Sequence, residues 1–527
     1  MIPIVDLFAG PGGLGEGFSS AKDSSGNPVF QIIMSVEKDS EAYKTLRLRS
    51  YLRKILHDDG KVPQAYETYM RRHTVENFEK LIEISPSAWM EANREAVHAE
   101  LVEGDDSLVE EAGKRLKAHG VIDADPWVLI GGPPCQAYSL VGRSRRAKEH
   151  DKLEADVKQT LYKCYLAFIN ELKPTVFVME NVKGLLSARH KGAGVFDRIL
   201  SDMEEAGYEI HSLVHPDPQG PRDYVVQAED FGIPQARHRV ILLGIRSDAQ
   251  NKTTGILQES EQASVRDALA GIPSIRSGFS MRNKDWKEMN WSSYVNDAAT
   301  KLEKSPEGKK LREVLEEVKS CHSARKMSKD VIDGDCGRYG AWYRGRLGSY
   351  RALANHEART HMASDLDRYL FCSSFAEVNG FAAQLYDFPN YLIPKHSNAQ
   401  GAKRGEEVDF SDRFRVQLYD RPSTTITSHI SKDGHYYIHP DPRQCRSLTV
   451  REAARLQTFP DDYLFEGNRT AQYTQVGNAV PPMLAQQIAA VVADYLGIEA
   501  KPFVGSVSKP ETSVLAAHEG DRDSQRS

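Results

Sequence analysis

The chain has 527 residues, enough for two or three domains or for one large domain with insertions. Its 40% hydrophobic and 27% charged residues suit a soluble globular protein, no apolar run approaches the ~20 residues of a membrane span, and the N-terminus lacks the basic segment of a signal peptide. The net charge of −6 argues mildly against a nucleic-acid partner, and the six cysteines, none in a CxxC pair, point to a reducing cytoplasm and to neither a disulfide framework nor a zinc site.

Residues 2–8 read as a first strand. Ala9-Gly10-Pro11-Gly12-Gly13-Leu14-Gly15 then form a glycine loop that opens onto a helix, and such a loop lets the backbone approach a ligand closely. Gly10, Gly12 and Gly15 spell GxGxxG, which alone leaves a dinucleotide reading open. The next strand, 31–36, ends in Glu37, an acid placed to bond ribose hydroxyls or simply to be solvated. Residues 44–100 predict a small helical bundle, with helices over 75–84 and 88–98. Its Arg47, Arg49, Arg53 and Lys54 are expected on a solvated face.

Residues 126–130 are an apolar run that suits a buried parallel strand. Gly131-Gly132-Pro133-Pro134 stops it, and Cys135 follows at the strand's carboxyl end, the edge where open α/β sheets bind ligands. The two prolines stiffen that position, so Cys135 is a candidate nucleophile; a buried structural cysteine is the alternative. Arg143, Arg145, Arg146 and Lys148 form a cationic loop directly after it, and 157–172 reads as an amphipathic helix. A second apolar run, 174–179, ends in Glu180-Asn181-Val182. A glutamate there is costly unless partnered, and burial is expected to raise its pKa, as suits a proton donor.

Arg237 and Arg239 alternate along the extended segment 235–239, ahead of the apolar strand 241–245. Within 251–440, residues Arg338–Arg351 interleave arginines with aromatics and contain no acid, which suits a nucleic-acid surface or a Tyr/Trp-rich sheet. Thr449 with Glu452 forms a capping box at the head of a helix. Gln475-Val476-Gly477-Asn478-Ala479-Val480 precedes a last apolar helix, and residues after 497 are expected to be disordered.

Gly-Pro-Pro-Cys-Gln followed by an aromatic and Ser resembles the catalytic motif of the DNA cytosine-5 methyltransferases of prokaryotic restriction-modification systems. Further segments are similar to that family in the family's order: 2–18, 34–39, 174–186, 231–245 and 420–497. The resemblance implies a doubly wound, Rossmann-like α/β catalytic domain at 1–250, carrying the insertion 44–100. It implies a target-recognition domain at 251–440 and a C-terminal return at 441–497. It implies S-adenosylmethionine as cofactor, with Phe8 beside the adenine, Glu37 on the ribose and Asp105 on the adenine amine. Gly10, Gly12, Gly13, Leu14, Pro133, Leu161, Asn478 and Val480 would line the same pocket. Cys135 would attack the base, Glu180 would donate to it, and Arg237 and Arg239 would hold its O2. The partner would be duplex DNA, with a separately acting restriction endonuclease, no metal and a monomeric enzyme at the nucleoid. An RNA methyltransferase on the same scaffold, a silent DNA-binding regulator and a nicotinamide oxidoreductase remain as alternatives.

Overall fold

Six consecutive buried residues, Ile2–Leu7, form the central strand β1 of the computed structural model. The structure describes residues 1–57, 59–122, 125–134, 151–190, 193–249, 255–282, 287–322, 325–331, 337–348 and 350–503. Cys135 and the cationic loop after it lie outside these residues, as do residues 504–527.

β1 leads through the glycine loop into helix α1 (Gly13–Ser20), and strand β2 (Phe30–Glu37) follows. Helices α2 (Ser40–Ile55), α3 (Gln64–Arg71), α4 (Val75–Ile82) and α5 (Pro86–Glu95) make the inserted bundle. Strand β3 (Ala96–His98), α6 (Ser107–Ala118), β4 (Val128–Gly131), α7 (Asp151–Leu172), β5 (Val176–Val182), α8 (Val195–Glu205), β6 (Tyr208–His211) and β7 (His238–Arg246) complete the lobe. The sheet order is β3-β2-β1-β4-β5-β7-β6. The first five strands pair in parallel, and β7 runs antiparallel to both of its neighbours. The chain starts at the centre, runs out to β3 and returns to β4, so β1 and β4 flank the topological switch point. In register, Leu7 lies beside Val36 and Gly131, and Gly131 beside Met179. The loop after β1, Glu37, Gly132–Pro134 and Glu180 therefore share one sheet edge.

Both faces of the sheet are covered. One carries α1 and the C-terminal helix Pro482–Tyr495; the other carries α6, α7 and α8. A Cβ at Gly17 would stand 2.3 Å from the Ala485 Cβ, so glycine sets the approach of the last helix. The stretch Arg469–Tyr495 has the length and apolarity to cross a membrane, but its apolar 18-residue window is 89% buried inside the protein, as befits a core helix.

Four expectations are corrected. Residues 96–98 are the edge strand β3, not the end of a helix, because they pair with Ser35–Glu37. The basic face of α2 is not wholly solvated: Arg49 is 2% exposed and bonds Glu16 and Asp462. Residues 251–440 do not pack as one unit. A separate core gathers apolar side chains mainly from 291–318 and 366–416, whereas Leu257, Tyr339 and Tyr343 join the core of the sheet lobe. Residues 498–503 belong to the folded protein rather than to a disordered tail, since Phe503 packs on Trp342 with ring centroids 5.6 Å apart. The Thr449–Glu452 capping box is present and opens the helix Val450–Leu456.

Candidate active site

A cavity of about 1720 Å³ opens along the carboxyl edge of β1, β2, β4 and β5. That exceeds the roughly 300–1,000 Å³ of an ordinary small-molecule site, so two ligands fit where one would be expected.

One end is built by the glycine loop. Phe8 adopts a left-handed backbone, φ 55°, a costly conformation for a bulky residue that marks a functional turn. The Glu37 carboxylate accepts from the backbone N–H of Gly10 at 2.8 Å and of Asp39 at 2.7 Å, so one side chain ties the loop to the end of β2. Burial raises the Glu37 carboxyl against those two hydrogen bonds. Phe8, Gly10, Gly13, Leu14, Glu37, Pro133, Leu161, Asn478 and Val480 all line the cavity. Gly12 sits behind them at the head of α1 with φ 95°, a conformation that favours glycine. The C-terminal return closes this end: a Cβ on Gly13 would lie 2.2 Å from the Val480 carbonyl oxygen.

Asp105 does not line this cavity. The strand beside β2 is Ala96–His98, so the chain leaves the sheet edge at Ala99, Glu100 and Leu101, and these three line the cavity. Asp105 is exposed and accepts from the Ser107 backbone N–H at 3.0 Å. Asp6 also lines the cavity, fully buried, and neither of its carboxylate oxygens has a hydrogen-bond partner. Burial pushes its carboxyl well above the usual range. The signal was legible in the sequence as an acid inside an apolar strand.

The other end holds Glu180, whose carboxylate meets the Arg239 Nε at 2.8 Å. The partner that a glutamate at the end of an apolar strand needs is thus Arg239. The pairing follows from topology: Arg239 lies opposite Val182 and Ile241 opposite Glu180 on the antiparallel strand β7. Asn181 Nδ2 donates to the Pro133 carbonyl at 3.1 Å, anchoring the turn that leads to Cys135. A Cβ on Gly132 would stand 3.2 Å from the Glu180 Oε2, so the turn passes directly over that carboxylate. Arg237 is 2% exposed; its Nη1 donates to the Ile426 carbonyl at 3.1 Å, and its Nε has no partner. Burial, and then the Arg239 charge, pull its pKa down to about 9, so it stays cationic at neutral pH.

Sequence reading missed a third group of cavity residues: Arg359, Thr427, Ser428, His429, Lys432 and Arg469. They reach the cavity only through tertiary packing; the resemblance over 420–497 spans all of them but Arg359 and gave none of them a role. The reading also misplaced Arg338–Arg351. Tyr339 and Tyr343 are 1% exposed, Arg344 donates to the Gly271 carbonyl, and Arg346 bonds Glu16 at 2.7 Å. The segment is a half-buried strut, because Tyr339, Tyr343 and Leu347 pack inward and draw Arg344 and Arg346 onto the fold. Among the described residues no group of three His, Cys, Asp or Glu side chains could hold a metal ion.

A family profile for C-5 cytosine-specific DNA methylases matches residues 81–493. The type II methyltransferase M.Bpa9945I of Bacillus paralicheniformis is 32% identical over 510 residues, covering 94% of this chain and 99% of that one. The DNA (cytosine-5-)-methyltransferase M.ApeKI of Aeropyrum pernix is 27% identical over 409 residues, covering 72% of this chain and 84% of its own. Among solved structures, a putative DNA modification methyltransferase from an E. coli prophage superposes with a TM-score of 0.52. It has 19% identity and covers 94% of this chain and all of that chain, a likeness of fold. The chain belongs to the C-5 cytosine-specific DNA methylase family and is a cytosine-5 DNA methyltransferase.

Proposed function

We propose that the protein methylates C5 of cytosine within a specific duplex sequence, using S-adenosylmethionine, a flipped-out base and a covalent adduct to Cys135. The observation that carries the reading is the Glu180–Arg239 pair on the same cavity as the glycine loop, with the Gly132–Pro134 turn between them. The residues present fit the cofactor. Glu37 offers a carboxylate to ribose hydroxyls, Phe8 and Leu161 offer apolar surface to the adenine, and the unpartnered Asp6 offers an acceptor for an ammonium group. Bound there, the cofactor supplies an electrophilic methyl group.

The chain's own residues do the rest. Cytosine C5 is a poor nucleophile, and a base inside the stack is out of reach, so it must be extruded into the cavity. The Cys135 thiolate adds to C6, while Glu180 delivers a proton to N3, and electron density builds at C5. After methyl transfer C5 loses its proton, the C6–S bond breaks, N3 returns its proton and the thiolate is regenerated. Arg239 orients Glu180, and Arg237 with Arg239 offers donors to O2. The lobe centred on 291–416 is the seat of sequence choice. A monomer working beside a separate restriction endonuclease fits the type II relatives.

The test is incorporation of labelled methyl groups into duplex DNA and into tRNA, followed by bisulfite sequencing of the duplex. Methylated cytosine in one duplex motif supports the reading. Labelling of tRNA alone, or of no nucleic acid, refutes it.

A further inference from the structure

Charge around the cavity is segregated by sign. Asp6, Glu37, Asp39 and Glu100 stand at the glycine-loop end, where Lys38 is paired with Glu100 at 2.9 Å and the balance stays acidic. Helix Arg469–Asn478 lines the cavity from one end to the other. Its C-terminus leads to Val480 against Gly13, at the acidic end. Its N-terminus lies nine residue steps away, about 14 Å at 1.5 Å per residue. That separation exceeds the Debye length of about 8 Å at physiological salt, so the two ends present distinct potentials to a ligand.

The far end is cationic. Arg359 is 9% exposed; its guanidinium stacks 4.0 Å from the Tyr473 ring centroid and donates to the Ile430 carbonyl. Its Nε has no partner, leaving donor capacity that the fold does not use. Arg469 Nη1 donates to the carbonyl of the adjacent Ala358 at 3.1 Å. Lys432 is exposed two residues beyond Ile430, with no ion pair among the described residues. No acid lines this end of the cavity; Glu357, which meets Arg469 at 3.4 Å, is exposed and outside the lining.

The geometry points to a backbone-binding wall: Arg359, Lys432 and Arg469 hold phosphodiesters of the strand that delivers the cytosine, leaving Arg237 and Arg239 for the base. This rests on the proposed function, since it needs DNA at the cavity mouth. A sulfonium cofactor is repelled by this wall and drawn to the acids, so each ligand is sorted to its own end. Two of the three cations already spend donors on backbone carbonyls, which fixes them as point charges for phosphate and unfits them for forked base reading.

The experiment measures binding of a random-sequence duplex over a range of salt for the wild type, Lys432→Ala, Arg469→Ala and Lys432→Arg, with each variant's fold checked by thermal melting. Each alanine should flatten the plot of log K against log salt by about 0.7–0.9 unit, one phosphate contact, and Lys432→Arg should restore the slope. Methylation of a randomised library should keep the wild-type motif. Slopes equal to wild type in folded variants, or a changed motif, would overturn the wall. Binding is read without turnover, so a wild type that methylates no duplex counts against the proposed function, while the slopes still judge the wall.

Discussion

Arg446, Arg451 and Arg455 of the closing block and Arg237, Arg239 and Arg359 of the cavity are all largely withdrawn from solvent, yet they are bonded differently. Arg451 spends its three nitrogens on the carbonyls of Ala354, Pro460 and Tyr463. Arg455 grips both oxygens of Asp461 and the carbonyls of Ala268 and Ala270. Arg446 is 0% exposed and forks onto Glu452. In the cavity, Arg237 and Arg359 each leave Nε unpartnered, and Arg239 meets Glu180 beside the opening. The saturated arginines of the closing block fasten segments together, whereas those lining the cavity keep donors to spare. Composition could not separate the two sets.

The comparison is broken most forcefully at the cavity. Glu180→Gln keeps the shape but removes the acid, and general acid–base groups contribute about 10²–10⁴-fold. The single-turnover rate should fall by that factor while duplex affinity stays within a few-fold. A rate close to wild type would remove Glu180 from the chemistry.

In the closing block the loss should be of stability. Arg455→Ala strands Asp461 in the core, and breaking a buried pair costs about 3–5 kcal/mol. Denaturant titration of the cofactor-free protein reads it; a midpoint unchanged from wild type would contradict the assignment. Arg346→Ala should cost less, about 1–3 kcal/mol, because the residue is a quarter exposed and Arg49 still holds Glu16 and Asp462. Its methylated motif should stay that of the wild type, whereas a base-reading arginine would relax one position.

The second buried fork of the closing block, Arg446 on Glu452, adds a dependence on pH. Burial alone would raise the Glu452 carboxyl, but Arg446 and then His439 outweigh it and hold it well below the usual carboxylate range. A depressed folded pKa means that its stabilisation is complete above the unfolded value, about 4.3, and drains away as pH falls below it. Glu452→Gln should therefore lower stability at neutral pH and flatten the acid limb below about pH 5. Parallel acid limbs for variant and wild type would deny Glu452 that role.

What the sequence disclosed was local. The apolar runs at 2–7, 128–130 and 176–179, the glycine loop, Glu37, Glu180 and the Thr449 cap are each written in a few adjacent residues, and the structure brings all but the cap to one edge. What stayed hidden depended on distant pairing. Ala96–His98 is too short to announce a strand, so nothing in the sequence showed that the chain leaves the sheet edge at Ala99, Glu100 and Leu101, ahead of Asp105. β7 is as apolar as a parallel strand, and only its partners make it antiparallel. Arg338–Arg351 has the composition of a nucleic-acid surface, but Tyr339 and Tyr343 turn it inward. Arg359, Lys432 and Arg469 come together only when the chain folds.

The central claim is that the turn held over Glu180 presents a nucleophile to an extruded cytosine. The most direct measurement uses a duplex bearing 5-fluorocytosine at the methylated position, incubated with S-adenosylmethionine and resolved under denaturing conditions. Fluorine cannot depart from C5 as a proton does, so the C6–S bond cannot break. The account predicts a denaturation-resistant protein–DNA adduct that maps to Cys135 and is absent from Cys135→Ala. No adduct on the correct duplex, or an adduct at another residue, would contradict it.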